Sequence, residues 1–163
     1  VVMLLLYVNR MSYIRELRPY MYWLGYLDDG RQAGELDWRA IGGTWGVATS
    51  KLNRWQPESK LDLPRLRPLV RRLPEARKQL GRYVERYFHD MEQHVAGLSR
   101  VLARGASVHY VIGNSKFFDV VVPAEKLFAD LFKRHGFVKP RIRVLRRRTS
   151  KKELFEYLVS AER

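Results

Sequence analysis

Hydrophobic positions along this chain change their spacing from one segment to the next, and the spacing predicts the elements. Val1-Val2-Met3-Leu4-Leu5-Leu6-Tyr7 is a continuous apolar run closed by the polar pair Asn9-Arg10. An unbroken run suits a strand buried on both faces, so it is read as a central strand of a parallel sheet. Ser12 then caps a helix whose apolar positions Ile14, Leu17, Met21, Leu24 and Leu27 recur three or four apart, with Pro19 forecasting a kink or a late start. From Gly30 to about Pro64 the periodicity is lost among glycines and Trp38, Trp45 and Trp55, which predicts a long loop. Pro74 opens the strongest helical pattern, Leu80, Val84, Tyr87, Phe88, Met91, Val95, Leu98 and Leu102, ended by Gly105. Those roughly 30 residues would span about 45 Å.

The last third alternates. Ser107 to Ile112 reads as a strand, Phe117 to Val122 as its continuation or a second short strand, and Pro123 to His135 as a helix with Leu127, Phe128, Leu131 and Phe132 inward. Arg141 to Arg148 and Leu154 to Val159 read as an antiparallel pair, because the connection at Thr149 to Lys152 is short. The order predicts one α/β domain over 1–163 with an insertion over 30–105.

Composition narrows the function classes. The 163 residues are 46% hydrophobic and 12% aromatic, enough to bury a core, so a disordered basic tail is excluded. There is no Cys, which removes disulfides, thiolate nucleophiles and Cys-based metal sites. The apolar run at the start is far below the roughly 20 residues of a bilayer span and lacks the basic flank of a signal peptide. A cytoplasmic setting without membrane attachment is therefore expected. Residue 1 is Val, so the chain is expected to begin inside a longer reading frame.

Charge points to a partner. Lys and Arg number 31 against 17 Asp and Glu, a net +14, and Arg outnumbers Lys by 22 to 9. Eight basic residues and no acidic one lie between Lys139 and Lys152, and ten basic against three acidic lie between Lys51 and Arg82. Arg forks bind phosphate bidentately and stack on bases, so a nucleic acid is the leading partner, with a solvated basic face as the alternative.

Candidate chemistry lies where strands end. Gly113-Asn114-Ser115 follows an apolar strand, and Asn9 follows Tyr7 in the same relation to the first strand. In open α/β sheets, ligands bind outside the carboxyl ends of strands. Gly113-Asn114-Ser115 thus reads either as part of a pocket or as a plain turn. Gly42-Gly43-Thr44-Trp45-Gly46 lacks the strand and Lys of a phosphate loop. The four histidines have no ligand spacing and the acidic residues no paired-carboxylate signature, so neither a metal site nor hydrolase chemistry is expected. The tryptophans either stack bases or pin the long loop to the core.

Several segments in order carry a resemblance. Tyr7 to Leu17 with Tyr22-Trp23-Leu24-Gly25, then Leu36 to Thr44, then Tyr110 to Ser115, and the ending Arg146 to Leu154 resemble the C-terminal half of S-adenosylmethionine-dependent DNA amino-methyltransferases, the N6-adenine and N4-cytosine modification enzymes. The resemblance implies that the first strand is the fourth of a Rossmann-like sheet and that the ending is the terminal hairpin. It implies that Tyr7 stacks a flipped-out base, that Asn9 and Asn114 line the pocket, and that the 30–105 insertion recognises the target. Arg39, Trp45, Lys51, Arg54, Lys116, Arg146, Arg147, Arg148, Lys151 and Lys152 are the expected contacts to double-stranded DNA.

Two departures weigh on the chemistry. Leu4, Leu5 and Leu6 stand where the family has a polar residue and two prolines, and leucine gives no acceptor to orient a target amino group. The family's Gly-rich cofactor turn does not occur anywhere in the sequence. The chain is therefore expected to bind no S-adenosylmethionine alone, to be inactive alone, and to need a separate polypeptide carrying the cofactor half, with homodimerisation through an open sheet edge as a second expectation. The alternatives are a non-enzymatic protein that binds nucleic acid or a partner through its basic surface, and a shifted start over residues 1–6 in an otherwise active enzyme.

Overall fold

The computed structural model describes residues 1–4, 7–8, 12–42, 47–57, 59–73, 78–149 and 153–163. Six strands and six helices alternate in part: β1 (Val2–Leu4), α1 (Tyr13–Trp23), α2 (Gly30–Arg39), α3 (Val47–Arg54), α4 (Leu66–Arg71), α5 (Lys78–Val101), β2 (Ser107–Gly113), β3 (Ser115–Phe117), β4 (Val120–Val122), α6 (Ala124–Arg134), β5 (Val138–Arg147) and β6 (Phe155–Glu162). The fold is α/β, built on a mixed four-stranded sheet in the order β1-β2-β6-β5, with β3 and β4 as a separate small hairpin. β1 runs parallel to β2, while β6 lies antiparallel between β2 and β5.

Register divides the sheet into two unlike faces. Val108, Tyr110 and Ile112 of β2 stand beside Ala161, Val159 and Tyr157 of β6 on one face, because side chains two apart share a side. The Tyr110 ring meets Phe128 and Phe132 of α6 at 5.7 and 5.0 Å between centroids, and its hydroxyl lies 2.8 Å from His94 Nε2 of α5. Phe88 of α5 meets Phe128 at 6.2 Å, so α5 and α6 share this inner face. Val84, Phe88 and Val95 of α5 and Leu127, Phe128, Leu131 and Phe132 of α6 are wholly buried there. The 24 residues of α5 cover about 36 Å. Pro74, read as its start, lies outside the described residues.

The caps at Ser12 and Gly136 follow the sequence signals, whereas Asp29, in the stretch read as closing the first helix, starts a second one. Ser12 Oγ accepts the Arg15 N–H at 3.1 Å and starts α1, which runs through Pro19 without ending. Asp29 caps α2 by accepting from Gln32 N at 2.8 Å. At the end of α6, Gly136 takes a φ of 78°, the left-handed turn glycine accommodates.

Three expectations are corrected. The stretch read as loop from Gly30 to Pro64 contains α2 and α3, and α4 follows it. Its periodicity was hidden because the buried face of α2 consists of Ala33, Gly34 and Asp37, none a large apolar residue. Ser12 Oγ donates to Asp37 at 2.5 Å and satisfies that buried carboxylate. The segment Phe117 to Val122 is no single strand: it folds into the β3–β4 hairpin, with Phe118 at a φ of 53° in the turn. Finally, β1 pairs with β2 alone among the described residues, and Val2 and Leu4 are 75% and 84% exposed. It is an edge strand of this sheet, because an apolar run records what a strand can bury, not which neighbours lie beside it.

Among the described residues, no helix is long and apolar enough to cross a membrane.

Candidate nucleic-acid interface

The carboxyl ends of β1 and β2 bring together residues far apart in sequence. Tyr7, three residues beyond β1, lays its ring against Gly113, where a Cβ would stand 3.1 Å from the ring atoms. Glycine is needed there for the ring to approach the backbone. The Tyr7 hydroxyl donates to Glu156 Oε1 at 2.6 Å, and Arg146 grips the same carboxylate with Nε and Nη2 at 2.5 and 2.9 Å. Such a fork is the strong, geometrically specific form of charge-assisted bond. The Arg148 guanidinium sits over the Tyr7 ring, 4.8 Å from its centroid, and donates to the Asn114 carbonyl at 3.3 Å.

Protonation follows from these contacts. The Arg146 fork, with the Tyr7 hydroxyl second, holds the Glu156 carboxyl down to about 2. Burial, then the bond to Glu156, pushes the Tyr7 phenol up to about 12. At neutral pH the cluster therefore holds a protonated phenol, a carboxylate and two guanidiniums.

Asn114 is 4% exposed, and its amide is engaged on both sides by the terminal hairpin: Nδ2 donates to the Glu153 carbonyl at 3.0 Å and Oδ1 accepts Phe155 N–H at 2.8 Å. These bonds lock the turn after β2 to the start of β6. Lys116 of β3 reaches Glu153 at 2.9 Å and joins the same corner. Tyr7, Asn114, Lys116, Arg146 and Arg148 thus form one cluster. Arg147 is exposed on the same hairpin. Arg39, Lys51 and Arg54 lie elsewhere, on α2 and α3, where Lys51 pairs with Glu35. Asn9, Trp45, Lys151 and Lys152 lie outside the described residues.

Glu156 is the member that sequence reasoning missed. Its signal was available, since pairing the two predicted strands sets Arg146 opposite Glu156. The exposed Lys116–Glu153 pair is screened by solvent, so a phosphate can replace the carboxylate at little cost.

A second cleft, of about 280 Å³, lies between α2 and α5 and includes Trp38, Trp55, Arg86, His89 and Asp90. The Arg86 guanidinium stacks on Trp38 at 3.6 Å, and Trp55 meets His89 edge-on at 5.4 Å. Both indoles thereby tie their segments to α5, which is the packing alternative for these tryptophans. Asp90 accepts Gly42 N–H at 3.1 Å, while its burial raises its pKa. Among the described residues no group of three His, Asp or Glu side chains is placed to hold a metal ion.

The corner at Tyr7 can hold an anion through its guanidiniums and offer an aromatic ring. No protein-family model, curated protein or solved structure matches the chain.

Proposed function

We propose that the chain is the DNA-binding C-terminal portion of a DNA amino-methyltransferase, the class that transfers a methyl group from S-adenosylmethionine to adenine N6 or cytosine N4, and that it is inactive without a partner. The observation that carries this reading is the gathering of Tyr7, Asn114, Lys116, Arg146 and Arg148 at the carboxyl ends of two parallel strands, where open α/β sheets bind their ligands. The sheet supports it as well: two parallel strands followed by an antiparallel terminal hairpin, β6 between β2 and β5, are what the second half of a Rossmann-like methyltransferase sheet requires.

In this reading the arginines of β5 contact phosphates and Tyr7 offers its ring to an extrahelical base once Arg148 moves aside. We assign this chain no site for S-adenosylmethionine: among the described residues the Tyr7 ring packs against Gly113 at the turn after β2, and the sequence holds no Gly-rich turn after an apolar strand. No chemical step is assigned to this chain. Leu4, Leu5 and Leu6, which offer no side-chain acceptor, favour the second reading, a protein that binds nucleic acid without modifying it.

Duplex-DNA binding measured by fluorescence anisotropy across a salt series tests both. The logarithm of the affinity should fall linearly with the logarithm of salt, with a slope of about −0.9 per phosphate neutralised. Arg147→Glu should weaken binding and flatten the slope by about one to two phosphate contacts. Binding indifferent to salt, or none, overturns both. Methyl transfer by the isolated chain overturns the claim of inactivity.

A further inference from the structure

We propose that the cleft between α2 and α5 binds a guanine ring, stacked on Trp55 and donating its N1–H and 2-amino group to the Asp90 carboxylate. The cleft shares no residue with the corner at Tyr7, and it takes this ligand whether or not the chain binds duplex DNA.

The side chain of Asp90 is 23% exposed and lines the cleft. A carboxylate can accept about four hydrogen bonds, yet among the described residues Asp90 accepts one, from Gly42 N–H at 3.1 Å. The Arg86 guanidinium lies 3.9 Å away, too far for a second. A carboxylate held away from water is costly unless donors satisfy it, so the cleft favours a ligand that brings N–H groups.

Trp55, which follows α3, lines the same cleft and meets His89 edge-on at 5.4 Å, a contact that takes at most one face of the indole. The Trp38 ring, by contrast, holds the Arg86 guanidinium at 3.6 Å and Lys51 Nζ at 5.8 Å. Trp55 is therefore the stacking surface, and it suits a flat ring.

Charge narrows the ligand further. Arg86 sits beside Asp90, Glu92 is held by Arg134 at 2.5 Å, and burial lowers the His89 pKa, which keeps its imidazole neutral at neutral pH. An anion finds no unmatched cation among these side chains, and a cation must approach a chain of net charge +14. A neutral, flat molecule with N–H donors remains. Adenine and cytosine set an acceptor nitrogen beside their amino group, and uracil and thymine set carbonyls on either side of their N–H, so each turns an acceptor toward the carboxylate. Guanine alone among the bases sets two donors side by side. Gln93, also on the wall, offers amide donors for its O6 and N7 acceptors. The volume of about 280 Å³ lies near the lower end of the roughly 300–1,000 Å³ of small-molecule sites, which suits a single base.

Isothermal titration calorimetry of the full chain with guanosine, and with inosine, which lacks the 2-amino group, tests the proposal. Guanosine is expected to bind, and inosine about tenfold more weakly, the size of one hydrogen bond to a charged group. Asp90→Asn keeps an acceptor for Gly42 N–H but turns an N–H group toward the ligand, so it should bind guanosine and inosine alike. Trp55→Leu should weaken guanosine about tenfold through lost stacking. No guanosine binding, equal affinity for guanosine and inosine in the wild type, equal affinity for adenosine, or a guanosine preference that survives Asp90→Asn overturns the proposal. A guanine-containing single strand that guanosine displaces identifies a strand as the source of the base; one that it does not displace identifies the free nucleoside. Wild-type and Asp90→Asn proteins should bind duplex DNA alike, and absence of DNA binding in both counts against the DNA reading and not against this cleft.

Discussion

Tyr7 depends on the residue it leans against. Gly113→Ala would put a methyl group 3.1 Å from its ring, and relieving that contact should cost about 1–3 kcal/mol in chemical denaturation. Tyr7→Phe deletes the bond to Glu156 and should cost about 1 kcal/mol. The two losses should not add, because each moves the same ring, and a double-mutant cycle measures the difference. Glu156 gives the cluster a pH signature. Its folded value lies near 2 against an ordinary 4.5, so its contribution is complete above 4.5 and is lost as pH falls toward 2. Arg146→Ala should raise the Glu156 titration seen by carboxyl NMR; an unchanged titration would show that Arg146 does not hold the carboxylate. That Glu156 faced Arg146 was legible from strand pairing. The contact of Tyr7 with Gly113 was not, since no local pattern links residues so far apart in sequence.

The amphipathic helices α5 and α6 and the shorter helix α2 differ in how plainly they announce themselves. α5 and α6 were legible because large apolar residues repeat every three or four positions, and those same residues fill the core against Tyr110. Phe88→Ala should therefore cost about 3–5 kcal/mol, the usual loss for an aromatic in a packed interior, measured by denaturant unfolding. Glycines within α5 give a contrasting pair. A Cβ at Gly97 would meet nothing within 4 Å, so Gly97→Ala should stabilise by about 0.5–1 kcal/mol. At Gly81 the Cβ would lie 3.1 Å from Val70 Cγ1, and the gain should be smaller or reversed. α2 was not legible, because its buried side uses small residues and a satisfied aspartate.

The molecule as a whole carries half-buried histidines that make it sensitive to acid. Burial lowers the pKa of His89, His94 and His135. The unfolded chain then binds more protons than the folded one below the ordinary 6.5, so stability is complete above that value and declines as pH falls through it. Burial raises Asp90 and Glu125, and these work in the opposite sense, recovering some stability at lower pH as they protonate more readily when folded. Melting temperature should thus begin to fall below 6.5, and His94→Gln should reduce the fall. A flat profile across that range would show that these imidazoles titrate as they do in water. The positive charge is distributed over ion pairs on several elements, and the corner at Tyr7 combines it with an aromatic ring and the ends of two parallel strands.

Local chemistry in the sequence was enough to determine the α/β class, the caps at Ser12 and Gly136, the helices α5 and α6, the terminal hairpin and the basic excess. Each of these depends on residues within a few positions of one another or on a sum over the chain. Tertiary structure decided that β1 is an edge among the described residues, and that Tyr7, Gly113, Arg146, Arg148 and Glu156 form one cluster. Those outcomes depend on which strands lie side by side, and pairing over long separations is set by the packing of the whole sheet rather than by any single segment.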